Sequence, residues 1–382
     1  MEEFDVTIIG AGLAGLQCAR LLGREGLRVL LVDRKASLDQ KIHTTGIFVR
    51  RTLEDFDIPE DCLGPVIRNV SLFSPAHRVI HLESKHDEFR VGRMGRLYLR
   101  YLNQCLRAGV QWLPGATYID SAVVGNTTTV RLNIGPSVHS VETRFLIGSD
   151  GACSHVAKDL QLDLNREWIV GVENVYEDAV FDGPPTLLCF VDPKLAPGYI
   201  AWIAYDGEQT HVGVGGYGNR FDPVKSLAEF QTRVRDIVDL AGCKQVERRG
   251  GRIPVGGVLR NIANQKGLLI GDAAGAVSPL TAGGLDPCMR LSTFAAKVTS
   301  DFLVSANPEV LKNYSGELFR SRFISRIWAR RIAAQIHSPI LIEIGCASLR
   351  LPLLNKLAGH VFFGRGSFPD VEVKLSPETQ TS

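Results

Sequence analysis

The chain has 382 residues, 45% of them hydrophobic and 22% charged, the balance of a soluble globular protein with about two domains. Its 43 basic and 41 acidic side chains leave a net charge of +2, which excludes a global attraction to nucleic acid; an anionic partner must be met by a local patch. The eight cysteines are scattered, with no C-x-x-C pair and no zinc-ligand spacing, so no metal site is expected and most read as buried thiols of a reducing compartment.

The first residues run directly into a strand, with no basic segment and apolar run of a secretory signal, and no stretch offers about eighteen uncharged apolar residues. A cytoplasmic location is expected. Phe4–Ile9 reads as a buried strand that enters Gly10-Ala11-Gly12-Leu13-Ala14-Gly15. Gly10 permits a tight turn, Gly12 lets the backbone approach a pyrophosphate, and Gly15 lets helix and sheet pack closely. The helix that follows, about Ala14 to Arg24, offers free N–H groups and a positive dipole end to phosphates. Val29–Val32 is the second strand. It ends at Asp33, placed about twenty residues after the turn to accept from a ribose hydroxyl, with Arg34 beside it. This unit predicts dinucleotide binding.

Next comes a polar, flexible loop, Lys35 to Gly46, containing Lys41, His43, Thr44 and Thr45. Val70–Phe73 and Val79–Leu82 alternate around a turn as a hairpin would. A helix is predicted from about Gly95 to Ala108, and paired strands over Thr127–Ile134 and Val138–Leu146. From Glu167 to Gly216 the pattern is β-rich, with strands over Trp168–Val175, Thr186–Val191, Tyr199–Tyr205 and Thr210–Gly215. Phe221–Leu240 reads as a helix, and Gly267–Ile270 as a further buried strand. Asp286-Pro287 resembles a helix N-cap followed by proline at the first helical position. The chain is then mostly helical to Gly359, and Asp370–Ser382 is a polar tail.

Two more motifs join the glycine turn. They are Gly148-Ser149-Asp150-Gly151 and Gly271-Asp272-Ala273-Ala274-Gly275, each at the end of an apolar strand, where ligands of open α/β sheets bind. The set resembles the FAD-dependent oxidoreductases that include aromatic hydroxylases, flavin halogenases and geranylgeranyl reductases. The resemblance implies a Rossmann-type FAD-binding domain, an antiparallel β-sheet substrate domain and a C-terminal helical region, α/β in class and α+β overall. It places residues 1–74, 92–165 and 252–305 in a discontinuous FAD-binding domain and 75–91 with 166–251 in the substrate domain. Residues 306–382 form the helical region and tail.

By that resemblance the FAD contacts are Gly10, Gly12, Leu13, Ala14, Gly15, Asp33 and Arg34, then Lys41, Thr44, Thr45 and Gly46 from the loop. Arg93 matches an arginine that contacts FAD phosphate, with Arg96 as the alternative. Asp150 and Gly151 lie on the pyrophosphate side, and Gly271 precedes Asp272, which accepts from the ribityl chain. The turn Pro279-Leu280-Thr281-Ala282-Gly283-Gly284-Leu285 faces the isoalloxazine, and Pro279, Gly283, Gly284 and Leu285 are its candidate contacts.

The run from Gly271 to Leu285 looks most like the geranylgeranyl reductases, whose Tyr-x-Trp-x-Phe-Pro segment is matched by Tyr199 to Tyr205 and is followed by the glycine-bearing Val212-Gly213-Val214-Gly215. This chain has one extra residue between Tyr199 and Trp202, and Ala282 where the reductases carry glycine. Tyr199 and Trp202 are candidates to line an apolar cavity over the flavin, or else to pack in the sheet core. His43 is a candidate proton donor, because reducing a double bond needs a proton as well as a hydride. The reaction expected is reduction of C=C bonds in an isoprenoid or other lipid-like substrate. Oxygenation of an apolar or aromatic compound and non-redox cyclisation of a carotenoid are the alternatives. The electron donor is NAD(P)H or a reduced ferredoxin-like protein. The basic, apolar stretch from Arg320 to Arg331 reads either as a membrane-surface helix or as helices packed on the FAD domain.

Overall fold

The central strand Glu2–Ile9 is buried from Val6 onward, with only Thr7 polar in that stretch, because both of its faces are covered, as in parallel sheets. A computed structural model, which describes residues 2–179 and 183–363, places it in the middle of an eight-stranded sheet. The polar tail from Asp370 lies outside the described residues. Val6–Ile9 pairs in parallel with Val29–Val32 on one side and with Phe145–Gly148 on the other. Gly267–Leu269 continues the parallel set beyond strand Ser137–Gly148. Three parallel strands therefore finish at one edge, and the Gly10, Asp150 and Asp272 motifs leave from it. Helix Leu13–Arg24 covers this sheet together with helices Met94–Arg107 and Leu285–Ser305.

The second sheet has seven strands in the order Lys244–Pro254, Trp168–Glu177, Gln209–Gly216, Ala201–Tyr205, Thr186–Phe190, Asn69–Phe73 and Val79–Glu83. Three features depart from the sequence reading. The sheet is not wholly antiparallel, since Thr186–Phe190 pairs in parallel with Asn69–Phe73. Residues 69–73 and 252–254, assigned above to the FAD-binding segments, hydrogen-bond in this sheet. Strand Lys244–Pro254 has no counterpart in the sequence reading. Its residues are largely polar and half-exposed, so they show no apolar alternation.

One face of this sheet packs Val172, Ile203, Val212 and Val214 against Leu227 and Phe230 of helix Pro223–Arg233. That helix is shorter than predicted. After Arg233 the chain turns, and Val234 and Val238 drop into the same core. The opposite face looks toward the Lys41–Gly46 loop. Helix Leu285–Ser305 begins one residue before Asp286, with Gly284 as its N-cap. Asp286 is held inside the first turn instead, accepting from Thr52 Oγ1 and Arg290 Nε, both at 2.9 Å. No helix among the described residues is long and apolar enough to cross a membrane.

Candidate functional site

The nucleotide edge is made mostly of backbone. Gly10 has φ +103°, and a Cβ there would lie 2.2 Å from the Ser149 carbonyl oxygen. A Cβ on Gly15 would lie 1.9 Å from the Gly10 oxygen. Neither position admits another residue. Gly12 differs, because nothing lies within 4 Å of its missing Cβ. It caps helix Leu13–Arg24 with no side chain, so the first-turn N–H groups face open space beside a bare backbone. Leu13 and Ala14 are buried beneath. Asp33 is oriented by accepting from Ala11 N at 2.7 Å and Lys35 N at 2.8 Å. A carboxylate has room for further donors. Arg34 is exposed beside it.

Asp150 turns inward. It accepts from Ser154 Oγ at 2.6 Å and from the N–H groups of His155 and Val156 at 2.7 and 3.2 Å. It thereby organises the start of helix His155–Asp159, and Gly151 beyond it has φ +86°. Asp272 is the opposite case. Its carbonyl accepts from Asn165 Nδ2 at 2.8 Å, but its carboxylate has no protein partner among the described residues. Burial pushes its pKa up to about 6. A desolvated acceptor with no donor is costly unless something supplies one. Gly271, with φ +56°, packs the turn against Ala14. Gly284 stands next to Asp272, whose Oδ1 would be 3.7 Å from a Cβ there. Pro279 is buried and Gly283 is exposed.

Arg93 does not stand open toward the glycine turn. Its guanidinium pairs with Glu208 at 3.1 Å and donates to the Asp61 carbonyl at 3.2 Å. Arg96 meets the same two residues. Lys41 is exposed with φ +51°. His43 Nδ1 lies 3.2 Å from the Gly250 carbonyl, so that nitrogen donates. Partial burial, then the nearby charge of Lys35, lowers the His43 pKa, and its ring is neutral at pH 7.

The second sheet faces this loop with two adjacent rows of side chains. In one row Arg249, Glu173, Gly213 and Trp202 are direct neighbours across four strands. In the next, Val175 stands opposite His211, and His211 opposite Ala204. Gly213 explains the first row. A Cβ there would come within 2.3 Å of the Trp202 ring, so only glycine lets the indole lie flat on the sheet. The ring then reaches across, and Trp202 Nε1 donates to Glu173 Oε2 at 3.3 Å. Gly215 makes room for one edge of the Tyr199 ring, which would be 2.8 Å from a Cβ there and stands at 67° to the indole. Tyr199 donates its hydroxyl to the Thr281 carbonyl at 2.7 Å, joining this sheet to the Pro279–Leu285 turn. Arg330, 4% exposed, lies 5.5 Å above the Tyr199 ring.

Glu173 is 3% exposed. Thr45 donates to its Oε2 at 2.5 Å, and Arg249 Nη1 and His211 Nδ1 each lie 3.4 Å from Oε1. His211 Nε2 is 3.3 Å from Asp206 Oδ2. Burial alone would lower the His211 pKa, but hydrogen bonds and charge from Asp206 and Glu173 raise it to about 8. Burial likewise favours neutral Glu173, yet His211, Arg249 and Thr45 hold its pKa below the usual range. His211 is thus an imidazolium at pH 7, between two carboxylates. Glu173, Asp206, His211 and Arg249 were absent from the sequence reading. The available signal was an ionisable residue in the middle of an apolar strand, Val-Gly-Val-Glu173 in one and Thr-His211-Val in another.

Residues 3–58 match the model of an FAD binding domain family. Over 362 residues the chain is 29% identical to digeranylgeranylglycerophospholipid reductase 1 of Methanopyrus kandleri, covering 90% of this chain and 93% of that protein. The geranylgeranyl diphosphate reductase of Rhodobacter capsulatus is 27% identical over 316 residues, 81% of this chain and 78% of its own. A solved geranylgeranyl bacteriochlorophyll reductase-like protein from Thermoplasma acidophilum has the same fold, with TM-score 0.79 at 19% identity over 90% of both chains. FAD fits what the edge offers: open space at Gly12, free N–H groups, and an unpartnered Asp272 carboxylate.

Proposed function

We propose that this chain, an FAD-dependent oxidoreductase similar to the superfamily that holds the aromatic hydroxylases, flavin halogenases and geranylgeranyl reductases, reduces C=C bonds of an isoprenoid, lipid-like substrate. The observation that carries this reading is the aromatic wall. Trp202 lies over Gly213 and Gly215, the Tyr199 ring stands against it edge-on with centroids 6.4 Å apart and planes at 67°, and Tyr199 is tied to the turn assigned to the flavin. Such a wall suits a long apolar chain, which needs exclusion of water more than polar anchors. The sequence relatives named as geranylgeranyl reductases support the same substrate class.

When bound, reduced FAD supplies the hydride for such a reduction. The glycine turn and the helix N-terminus would hold its pyrophosphate, Asp33 its ribose and Asp272 its ribityl chain. Thr44, Thr45 and the Pro279–Leu285 turn would border the ring, and Trp202 would orient the alkene. Electrons come from NAD(P)H or a reduced ferredoxin-like protein. The substrate is drawn from a membrane surface. Helix Ile324–Ala333 turns Ile324, Trp328 and Ile332 outward at 53%, 59% and 65% exposure. Arg260, Arg320 and Arg331, with the one acid Glu317 paired to Arg260, line a groove of about 280 Å³ beside them. An apolar stripe with a basic rim fits anionic lipid.

The test is anaerobic. Protein loaded with FAD and reduced by dithionite is mixed with geranylgeranyl diphosphate, and mass spectrometry looks for two added hydrogens per reduced bond. Unchanged substrate, or an inserted oxygen atom once air is admitted, overturns the reading. Sedimentation with phosphatidylglycerol vesicles but not phosphatidylcholine vesicles, weakened by Trp328→Glu, is the expected membrane result. Equal sedimentation with both removes the anionic docking surface.

A further inference from the structure

We propose that His211, with Glu173 and Asp206, is the proton reservoir of the reduction, and that the Thr45 hydroxyl is its outlet. The proposal rests on the double-bond reading above, because only that reaction needs a proton for each hydride consumed.

The candidates for proton donor reduce quickly. His43 is neutral at pH 7 and spends Nδ1 on the Gly250 carbonyl. Tyr199 is pushed away from acidity by burial and donates to Thr281. His211, 1% exposed, is the one buried histidine among the described residues. Both of its nitrogens face carboxylates, so both carry protons in the arrangement observed.

The contacts run in one line. Thr45 on the flavin-side loop meets Glu173, Glu173 meets His211, and His211 meets Asp206. Asp206 sits in the turn before strand Gln209–Gly216, where its Oδ1 accepts from the N–H groups of Glu208 and Gln209 and where Glu208 is exposed. The line therefore runs through buried groups from the loop to Asp206, next but one to the exposed Glu208. Its surroundings fix the charge. Arg249 faces Glu173 from the edge strand and is itself paired with Glu247 at 2.7 Å. His43 lies on the same loop as Thr45, and Arg93 pairs with Glu208 beyond Asp206. Two carboxylates touch the imidazole and the nearest arginine is held by two acids, so the imidazolium is kept charged while remaining dry.

The step balances. The alkene π bond breaks and two C–H bonds form. One carbon would take the hydride that reduced FAD supplies when bound, and the other takes the Thr45 hydroxyl proton once that hydroxyl turns from Glu173, to which it donates at rest, toward the alkene. Thr45 regains a proton from Glu173, which draws on His211 Nδ1, and His211 is recharged from water by way of Asp206. Each reduced bond consumes one hydride and one proton, and no further reactant is needed.

The experiment uses full-length, FAD-loaded protein. Wild type, His211→Gln, Glu173→Gln and Asp206→Asn are reduced anaerobically, mixed with geranylgeranyl diphosphate, and followed by the return of oxidised-flavin absorbance across pH 5 to 10. The wild-type rate is expected to fall above pH about 8. His211→Gln should bind FAD with unchanged affinity, lose that limb of the profile and run about a hundredfold slower. Reaction in D₂O should place one solvent deuterium per reduced bond and slow the wild type more than His211→Gln. Independently of turnover, NMR titration of the FAD-loaded wild type should find one imidazole ionising near 8. A flavin-loaded His211→Gln protein with the wild-type rate and profile overturns the reservoir alone, as does an NMR titration with every imidazole below 7. Should His211→Gln fail to fold, Asp206→Asn and the wild-type titration decide in the same terms. A wild type that leaves prenyl double bonds intact sinks the reduction reading, and the reservoir with it.

Discussion

The nucleotide edge of the first sheet and the inner face of the second solve opposite problems. The edge leaves backbone bare. Gly10, Gly12 and Gly15 remove side chains and leave N–H groups and a helix end open, and these three are close in sequence. The inner face gathers side chains. Thr45, Glu173, Trp202, Asp206, His211 and Arg249 come from the loop, four strands and the turn before one of them, and only the fold makes them neighbours. Glycine serves both, but differently. At Gly15 it admits another backbone, and at Gly213 it admits an aromatic ring lying flat.

Two glycine substitutions break this comparison most sharply. Gly15→Ala puts a Cβ 1.9 Å from a carbonyl oxygen that cannot move without the whole turn. We expect a loss of about 3 kcal/mol or more of stability and a protein that purifies without flavin colour. Gly213→Val acts on the other region. Its side chain would displace Trp202, and FAD affinity should stay within a few-fold of wild type while prenyl turnover falls about a hundredfold. Flavin titration and anaerobic single turnover on one preparation separate the two. Equal losses of FAD binding in both variants would show that the regions are one unit.

The same contrast explains what could be read before folding. Glycine spacing, an apolar strand and a terminal acid are local, so the glycine turn and the strand-end acids Asp33 and Asp272 were legible as motifs. Trp202 and Gly213 were legible as a motif, but not the reason they belong together, which is strand register. Glu173 and His211 were hidden because each looks like a lone polar residue in a strand until the sheet forms. Strand Lys244–Pro254 was hidden for a related reason. As a polar edge strand it owes its place to hydrogen bonds with Trp168–Glu177, not to an apolar pattern. Asp286 was read as a cap because Asp-Pro favours one, yet its pairing with Arg290 and Thr52 outweighs that local preference.

Acid–base behaviour separates the regions next. His211 is raised from 6.5 to about 8 in the folded chain, so its contribution is complete below pH 6.5 and is lost as pH rises through 8. The change is about 2 kcal/mol, visible as a fall in unfolding free energy across that window that His211→Gln abolishes. Glu173 and Asp206 are depressed, so their contribution is present above the ordinary carboxylate range and lost in acid. Asp272 at the nucleotide edge has the reverse sign. Raised to about 6, it destabilises the FAD-free protein above that pH and ceases to do so in acid. Asp272→Asn should therefore stabilise FAD-free protein at pH 7 by about 1 to 2 kcal/mol while weakening FAD binding by a similar amount. An Asn variant that lowers both quantities would mean that the carboxylate serves the fold rather than the ligand.

The smallest effect lies where the two regions touch. Tyr199 from the second sheet donates to the carbonyl of Thr281, and the next residue, Ala282, holds φ +52°. An L residue with a Cβ is strained there by about 1 kcal/mol or more, which glycine avoids. Glycine also gains freedom in the unfolded chain, which offsets part of the difference. Ala282→Gly is therefore expected to raise stability by about 0.5 kcal/mol, read as a small rise in the urea midpoint at constant m. The sign carries the information. A stabilised variant with slower turnover would mean that the strained alanine holds the turn in register with Tyr199. A destabilised one would mean that the methyl group itself packs at the seam between the sheets.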